Sequence, residues 1–319
     1  MRCLPALLAL VLLSTTAACA SVPPRSVLGD EAAPTETQRL VLTHDGVERT
    51  AFVFAPDEVA PGAPLVLALH GAVGSGERFS DVRRRLTAEA NRRGWVIAFP
   101  TGTACLRGRG ACWDDRDAPR AIARADADDV GYLRALVEAL QERHGIDTER
   151  VLVTGFSNGA GMAYRFAAEA PDLVTAAVAV GGTVGRTQGR TDYSYAMVPT
   201  PTAPVPMLIV RGMDDDLIPY HGGVRPNGTF QVLAAEYDAS FWAEANGCDI
   251  AAVEKDGVSF LRDARTDGTE TYDYRAGCRD GATVRLVGVG GLGHAWPTAR
   301  DGYDATGELV AFFERVARN

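Results

Sequence analysis

Arg150-Val151-Leu152-Val153-Thr154-Gly155-Phe156-Ser157-Asn158-Gly159-Ala160-Gly161-Met162-Ala163-Tyr164 runs from an apolar strand pattern, through a serine bracketed by glycines, into a helix-forming stretch. A Gly-x-Ser-x-Gly segment between a strand and a helix is the pattern of a nucleophile elbow. The turn is so sharp that side chains at the glycine positions collide with neighbouring backbone, while the serine projects from its apex. The five residues alone recur by chance. The strand before them and the helix after them give the pattern its weight.

The rest of the chain alternates in the same way. Leu40–Leu42 and Ala51–Phe54 read as an opening hairpin around Asp45-Gly46, and Leu65–Leu69 as a continuous apolar run of a strand buried on both faces. A helix is expected over 78–93, strands at Trp95–Phe99, Ala176–Val180, Pro206–Val210 and 283–289, and helices at 128–143, 157–169, 230–245 and 303–317. Residues 181–205 read as a Gly-, Thr- and Pro-rich loop, and 257–275 as a hairpin. Strands alternating with helices predict an α/β fold: a mostly parallel sheet with helices on both faces and its chemistry on loops after the strand ends. Residues 38–319 form that catalytic domain.

A serine hydroxyl needs a base to become a nucleophile, and in such folds the order along the chain is Ser, then Asp or Glu, then His. Only His221 and His294 follow Ser157. His221 shares a loop with the acidic candidates, whereas His294 lies in Gly290-Gly291-Leu292-Gly293-His294-Ala295-Trp296-Pro297, directly after a strand, so His294 is the expected base. Three aspartates, Asp214, Asp215 and Asp216, follow the Pro206–Val210 strand, and spacing does not choose among them. Two backbone N–H groups must hold the developing oxyanion: that of Asn158, and that of Ala72 (or of Val73) in the loop after Leu69-His70-Gly71. Chain order reads His70 as structural. Trp113, Tyr220 and Trp296 stand beside these motifs and are expected at the substrate surface, with packing the alternative. Asp128 and Asp129 read as caps of the following helix.

Leu69-His70-Gly71, Gly155–Gly159, Gly212-Met213-Asp214-Asp215-Asp216-Leu217-Ile218-Pro219-Tyr220 and Gly293-His294-Ala295-Trp296-Pro297 occur in that order. The set resembles the polyhydroxybutyrate depolymerase and feruloyl or acetylxylan esterase group of the α/β-hydrolase superfamily, including its lipoprotein members, over about residues 40–319. In that group's pattern, Gly-x-x-Asp-x-x-Val-Pro-Tyr, the catalytic acid falls on Asp215. Arg211 departs from it, since the group often has His there. The resemblance implies a serine esterase acting on acyl or aromatic esters of polysaccharides, or on short hydroxyalkanoate polyesters, without metal or cofactor. The length outside the catalytic stretch predicts no separate polymer-binding domain. Two other readings share the scaffold: an acyltransferase with the same triad, and a non-catalytic envelope-binding lipoprotein.

The N-terminus predicts export. Met1-Arg2, an apolar run from Leu4 to Leu13 and small residues to Ala20 suit a signal peptide over 1–19. Thr16-Ala17-Ala18-Cys19 resembles a lipobox, with Thr16 where Leu is usual, which would lipidate Cys19 and anchor the chain. Cleavage after Ala20 is the alternative. Residues 20–37 read as a tether. Beyond Cys3 and Cys19 four cysteines remain, suited to disulfides outside the cytoplasm. Of three connectivities, Cys105 with Cys112 and Cys248 with Cys278 close local loops, and the group-like segments Cys112-Trp113 and Asn246-Gly247-Cys248 support that pairing. No CxxC or His-x-x-x-His spacing suggests zinc. A formal charge of −9 argues against nucleic acid as a partner, and Lys255, the only lysine, leaves one weakly placed candidate for an amine mechanism.

Overall fold

The computed structural model describes residues 36–105, 108–115, 127–187, 194–225, 230–257 and 268–316. The expected signal peptide, Cys19 and all but the last two residues of the expected tether lie outside them. No helix among the described residues is long and apolar enough to cross a membrane.

Ten strands build the main sheet: β1 (Gln38–His44), β2 (Val47–Phe54), β3 (Ala63–Leu69), β4 (Val96–Pro100), β5 (Ile146–Phe156), β6 (Val174–Val180), β7 (Met207–Gly212), β8 (Glu254–Gly257), β9 (Thr269–Tyr274) and β10 (Val284–Val289). Their order is β1-β2-β4-β3-β5-β6-β7-β10-β9-β8. From β4 to β10 every neighbouring pair is parallel. The β1, β2 and β4 pairings at one edge, and those of β10, β9 and β8 at the other, are antiparallel.

The helices are α1 (Ser80–Arg93), α2 (Asp129–His144), α3 (Asn158–Glu169), α4 (Ala235–Ala245) and α5 (Ala305–Val316). Successive residues of a strand point to opposite faces, and both faces here are covered. Leu65, Leu67 and Leu69 of β3 join one core with Leu133 and Leu136 of α2, Phe166 of α3 and Trp242 of α4. Val66 and Ala68 join the other with Leu86 of α1 and Phe313 of α5. This is why β3 reads as an unbroken apolar run: each Leu or Val side chain gains about 1.5–3 kcal/mol from burial whichever way it points. Asp128 caps α2 by accepting from the Gly131 N–H at 2.9 Å, and Gly145, at φ 64°, ends it. Asp129 instead lies in the first turn, fully buried, paired with Arg49 at 2.6 Å.

Two expectations change. The 181–205 stretch is partly ordered as strands: Gly185–Thr187 pairs with Tyr195–Met197 and, through Arg186 and Val232, with Gln231–Val232, which pairs in turn with Gly223–Val224. The helix expected over 230–245 starts only at Ala235 for the same reason. Val232 of this second, four-stranded sheet is buried in a cluster with Ile218 and Phe230. The pairing that joins the sheet's two halves, Arg186 with Val232, links positions 46 apart in sequence, and local periodicity does not register it. Part of the expected hairpin, 258–267, lies outside the described residues. Its two arms, β8 and β9, pair antiparallel.

Candidate active site

The elbow follows from steric limits. Ser157 sits between β5 and α3 at φ 56°, ψ −119°, a left-handed conformation that costs a non-glycine residue on the order of 1–3 kcal/mol. A Cβ at Gly155 would lie 2.1 Å from the Gly159 carbonyl oxygen, and one at Gly159 would lie 2.4 Å from that of Leu69. Both glycines are therefore dictated by backbone approach. The turn places the Ser157 hydroxyl at the carboxyl end of β5, against the N-terminus of α3.

Two further loops bring groups to that hydroxyl. The loops after β7 and β10 approach closely enough that a Cβ on Gly212 would meet the Leu292 carbonyl oxygen at 2.3 Å. The Asp214 N–H donates to that same oxygen at 3.0 Å. His294 Nδ1 donates to Asp215 Oδ2 at 2.7 Å, and its Nε2 accepts from Ser157 Oγ at 2.9 Å. The other carboxylate oxygen of Asp215 accepts from the N–H groups of Leu217 and Ile218 at 2.8 and 2.7 Å. Asp215 is buried, while Asp214 and Asp216 are exposed. His221 is also exposed and faces Glu236 at 3.7 Å. Of the three aspartates and two histidines weighed from the sequence, one of each joins the hydrogen-bonded chain that ends at the serine.

Arg211 is fully buried at the end of β7. It pairs with Asp238 of α4 at 2.7 Å and donates to the carbonyls of Gly182, Ile218 and Pro219. The guanidinium thus ties the loop after β6 to the loop that carries Asp215.

Ala72 and Asn158 line one cavity with Ser157, of about 300 Å³. The loop holding Ala72 is braced from behind. The buried His70 imidazole donates from Nδ1 to the Gly71 carbonyl at 2.7 Å and accepts at Nε2 from the Gly102 N–H at 3.1 Å. Both ring nitrogens are engaged, so His70 has none free for proton transfer. Its burial holds the imidazole down to about pKa 4, against the opposing pull of the Gly71 carbonyl and with help from the nearby charge of Arg49. An unfolded chain takes up this proton near pH 6.5. Between pH 6.5 and 4 the unfolded state is therefore protonated and the folded state is not. Acidification across that window costs the fold about 1.4 kcal/mol per pH unit, roughly 3 kcal/mol in all. Urea unfolding across this range should show a shallower acid loss for His70→Asn than for wild type. Parallel profiles would refute the assignment.

The three aromatic residues expected at the substrate surface are not part of the cavity wall. Trp113 is fully buried, its indole N–H donating to the His70 carbonyl at 2.9 Å. Tyr220 is buried with its hydroxyl donating to Glu270 at 2.6 Å. Trp296, half-buried, donates to Thr306 of α5 at 3.1 Å and meets Phe79 edge-on. Each has an apolar body inside and a polar atom with a protein partner, as buried Tyr and Trp require. They brace the loops that carry the site.

The disulfides are Cys105–Cys112 and Cys248–Cys278. The first lies beside Trp113, whose backbone brackets the Asn158 side chain: Asn158 Oδ1 accepts from the Trp113 N–H at 2.8 Å and Nδ2 donates to its carbonyl at 3.1 Å. Asn158 Nδ2 also donates to Asp115 at 2.7 Å. Asp115 and two arginines, Arg186 and Arg225, complete the charged part of the cavity wall. None of these three is visible in the sequence as a site residue. They come from segments up to 110 positions apart and carry no motif. A grouping of His44, Asp45 and Asp128, with ligand-type atoms within 4.8 Å of one another, occurs elsewhere; its Asp128 is already engaged as the α2 cap and by His44.

Comparisons with known proteins identify related chains. Residues 50–198 match the model of the family described as Esterase PHB depolymerase. The protein described as "Putative esterase NocK" of Nocardia uniformis subsp. tsuyamanensis is 30% identical over 74% of this chain and 66% of its own length. Feruloyl esterase B of Piromyces equi is 25% identical over 76% of this chain and 41% of its own length. The chain thus spans about two thirds of the first relative and well under half of the second. An acetyl xylan esterase structure from Aspergillus awamori shares the fold with a TM-score of 0.57 and 19% identity, over 86% of this chain and 99% of that one. By its motifs, its fold and these relatives, the chain belongs to the polyhydroxybutyrate depolymerase and feruloyl or acetylxylan esterase group of the α/β-hydrolase superfamily.

Proposed function

We propose that this chain is an exported serine hydrolase of carboxylic esters, with Ser157 as nucleophile, His294 as base and Asp215 as the acid that orients it. The observation that carries the reading is the continuous hydrogen-bonded chain from Asp215 through His294 to Ser157 Oγ. Asp215 fixes the tautomer with the proton on Nδ1, which leaves Nε2 free to accept the serine proton. The hydroxyl oxygen attacks the ester carbonyl as that proton moves to Nε2. The N–H groups of Asn158 and Ala72 receive the oxyanion, the former at the positive end of α3. The imidazolium then protonates the leaving alcohol, and water hydrolyses the acyl-enzyme with His294 again as base.

The names of the relatives suggest acetyl or feruloyl esters of polysaccharides, and the family description suggests hydroxyalkanoate esters. The two disulfides suit a compartment outside the cytoplasm, in keeping with the signal-like N-terminus. Anchoring through Cys19 is part of the same proposal.

A test uses the oxidised protein on p-nitrophenyl acetate and butyrate, methyl ferulate, acetylated xylan and a 3-hydroxybutyrate oligomer, together with a fluorophosphonate probe. Turnover of at least one ester, and a probe adduct mapped to Ser157, are expected. No turnover on any ester, with Ser157 unlabelled, would refute the proposal.

A further inference from the structure

Among the described residues lining the cavity beside Ser157, two are arginines, Arg186 and Arg225, and one is a carboxylate, Asp115. Arg186 NH2 lies 3.0 Å from both carboxylate oxygens of Asp115, so Arg186 has a carboxylate partner. Arg225 has no carboxylate within ion-pair distance among the described residues. Its guanidinium carbon stands 4.7 Å from the centre of the Phe230 ring, and that of Arg186 stands 4.9 Å from the same ring. Two guanidiniums thus stand by one ring, and Arg225 Nε is buried with no hydrogen-bond partner. Asp215, the acid whose charge Arg225 feels, is saturated by His294 and two backbone N–H groups. Burial and the charge of Arg186 both bear against the Arg225 cation.

Protein cations held partly out of water are ordinarily paired. Since this one borders the space that Ser157 opens into, a bound ligand is the missing partner. Resting on the esterase reading above, we propose that the site prefers esters bearing a carboxylate, placed to pair with Arg225, over neutral esters of the same shape. A guanidinium is suited to this because its planar fork matches a carboxylate. The overall charge of −9 works against anions at long range, so the selectivity must come from this local cation.

The carboxylate could sit on the acyl or on the alcohol side, and two matched pairs separate the cases. The 4-nitrophenyl monoester of glutaric acid is compared with 4-nitrophenyl 5-methylhexanoate, its neutral isostere. The acetate ester of 3-hydroxybutyrate is compared with that compound's methyl carboxylate ester, scoring release of acetate. In wild type the anion of at least one pair should have the higher kcat/KM, by about tenfold or more. Arg225→Gln should collapse that ratio towards one, Arg225→Lys should retain part of it, and Arg225→Glu should invert it. Equal kcat/KM within both wild-type pairs, or a ratio unchanged in Arg225→Gln, would overturn this inference and leave the esterase reading standing. No hydrolysis of any of the four, with turnover of another ester of the panel above, would overturn this inference alone, whereas no turnover in either set with Ser157 unlabelled would defeat both.

Discussion

Ser157→Ala is expected to lower kcat for p-nitrophenyl butyrate by about a million-fold, the scale on which triad serines act. The residual rate should still exceed that in water, because the Asn158 and Ala72 N–H groups remain in place. Stability should hardly change, since alanine keeps the Cβ that makes φ 56° costly. Ser157→Gly separates the two effects. It removes the hydroxyl equally, yet it can occupy the left-handed conformation freely. Relief of strain, about 1–3 kcal/mol, outweighs the larger entropy of the unfolded glycine, about 0.4–1 kcal/mol. The glycine variant should therefore melt some 2–4 °C above the alanine variant while being equally inactive. Calorimetry on both proteins with matched ester assays checks this. Equal melting temperatures would mean the elbow is not strained, and retained activity in either would remove Ser157 from the chemistry.

What was legible in the sequence was local or ordered along the chain. The elbow glycines, the buried β3 run and the strand-then-loop placement of Asp215 and His294 depend on neighbours within a few residues. The choice among Asp214, Asp215 and Asp216 needs either the family pattern or the structure, because all three satisfy the same spacing and only burial and the bond to His294 separate them. The aromatics failed for a related reason. Trp113, Tyr220 and Trp296 are close to site motifs in sequence, but proximity along the chain does not say which side of a loop a ring packs on. The charged cavity wall was illegible altogether. Asp115, Arg186 and Arg225 meet only because the Gly185–Thr187 and Gly223–Val224 strands enter one small sheet, and that pairing has no short-range signature. Arg211 looked like a mere departure from the family pattern, and its buried pairing with Asp238 gives it the task of holding the acid loop.

Asp215→Asn is expected to reduce kcat by about 10⁴-fold, whereas Asp214→Asn and Asp216→Asn should change it by less than about threefold. The argument rests on which atoms donate. An asparagine at 215 can keep its carbonyl oxygen facing the Leu217 and Ile218 N–H groups, which donate at 2.8 and 2.7 Å to the native carboxylate. Its amide nitrogen then faces His294 Nδ1, the position now 2.7 Å from a carboxylate oxygen. Two donors cannot share that contact, so the imidazole moves its proton to Nε2 and presents N–H to Ser157 Oγ. The serine proton then has no acceptor, although every heavy atom stays close to its present place. The loss should fall on kcat, with KM and melting temperature near wild type, because neither the cavity wall nor the loop backbone is altered. Exposed Asp214 and Asp216 touch neither His294 nor Ser157, and removing their charge changes only a solvated surface. Steady-state kinetics of the three variants on one ester decide the matter. A comparable loss at 214 or 216, or a near-wild-type Asp215→Asn, would show that the acid has been placed wrongly.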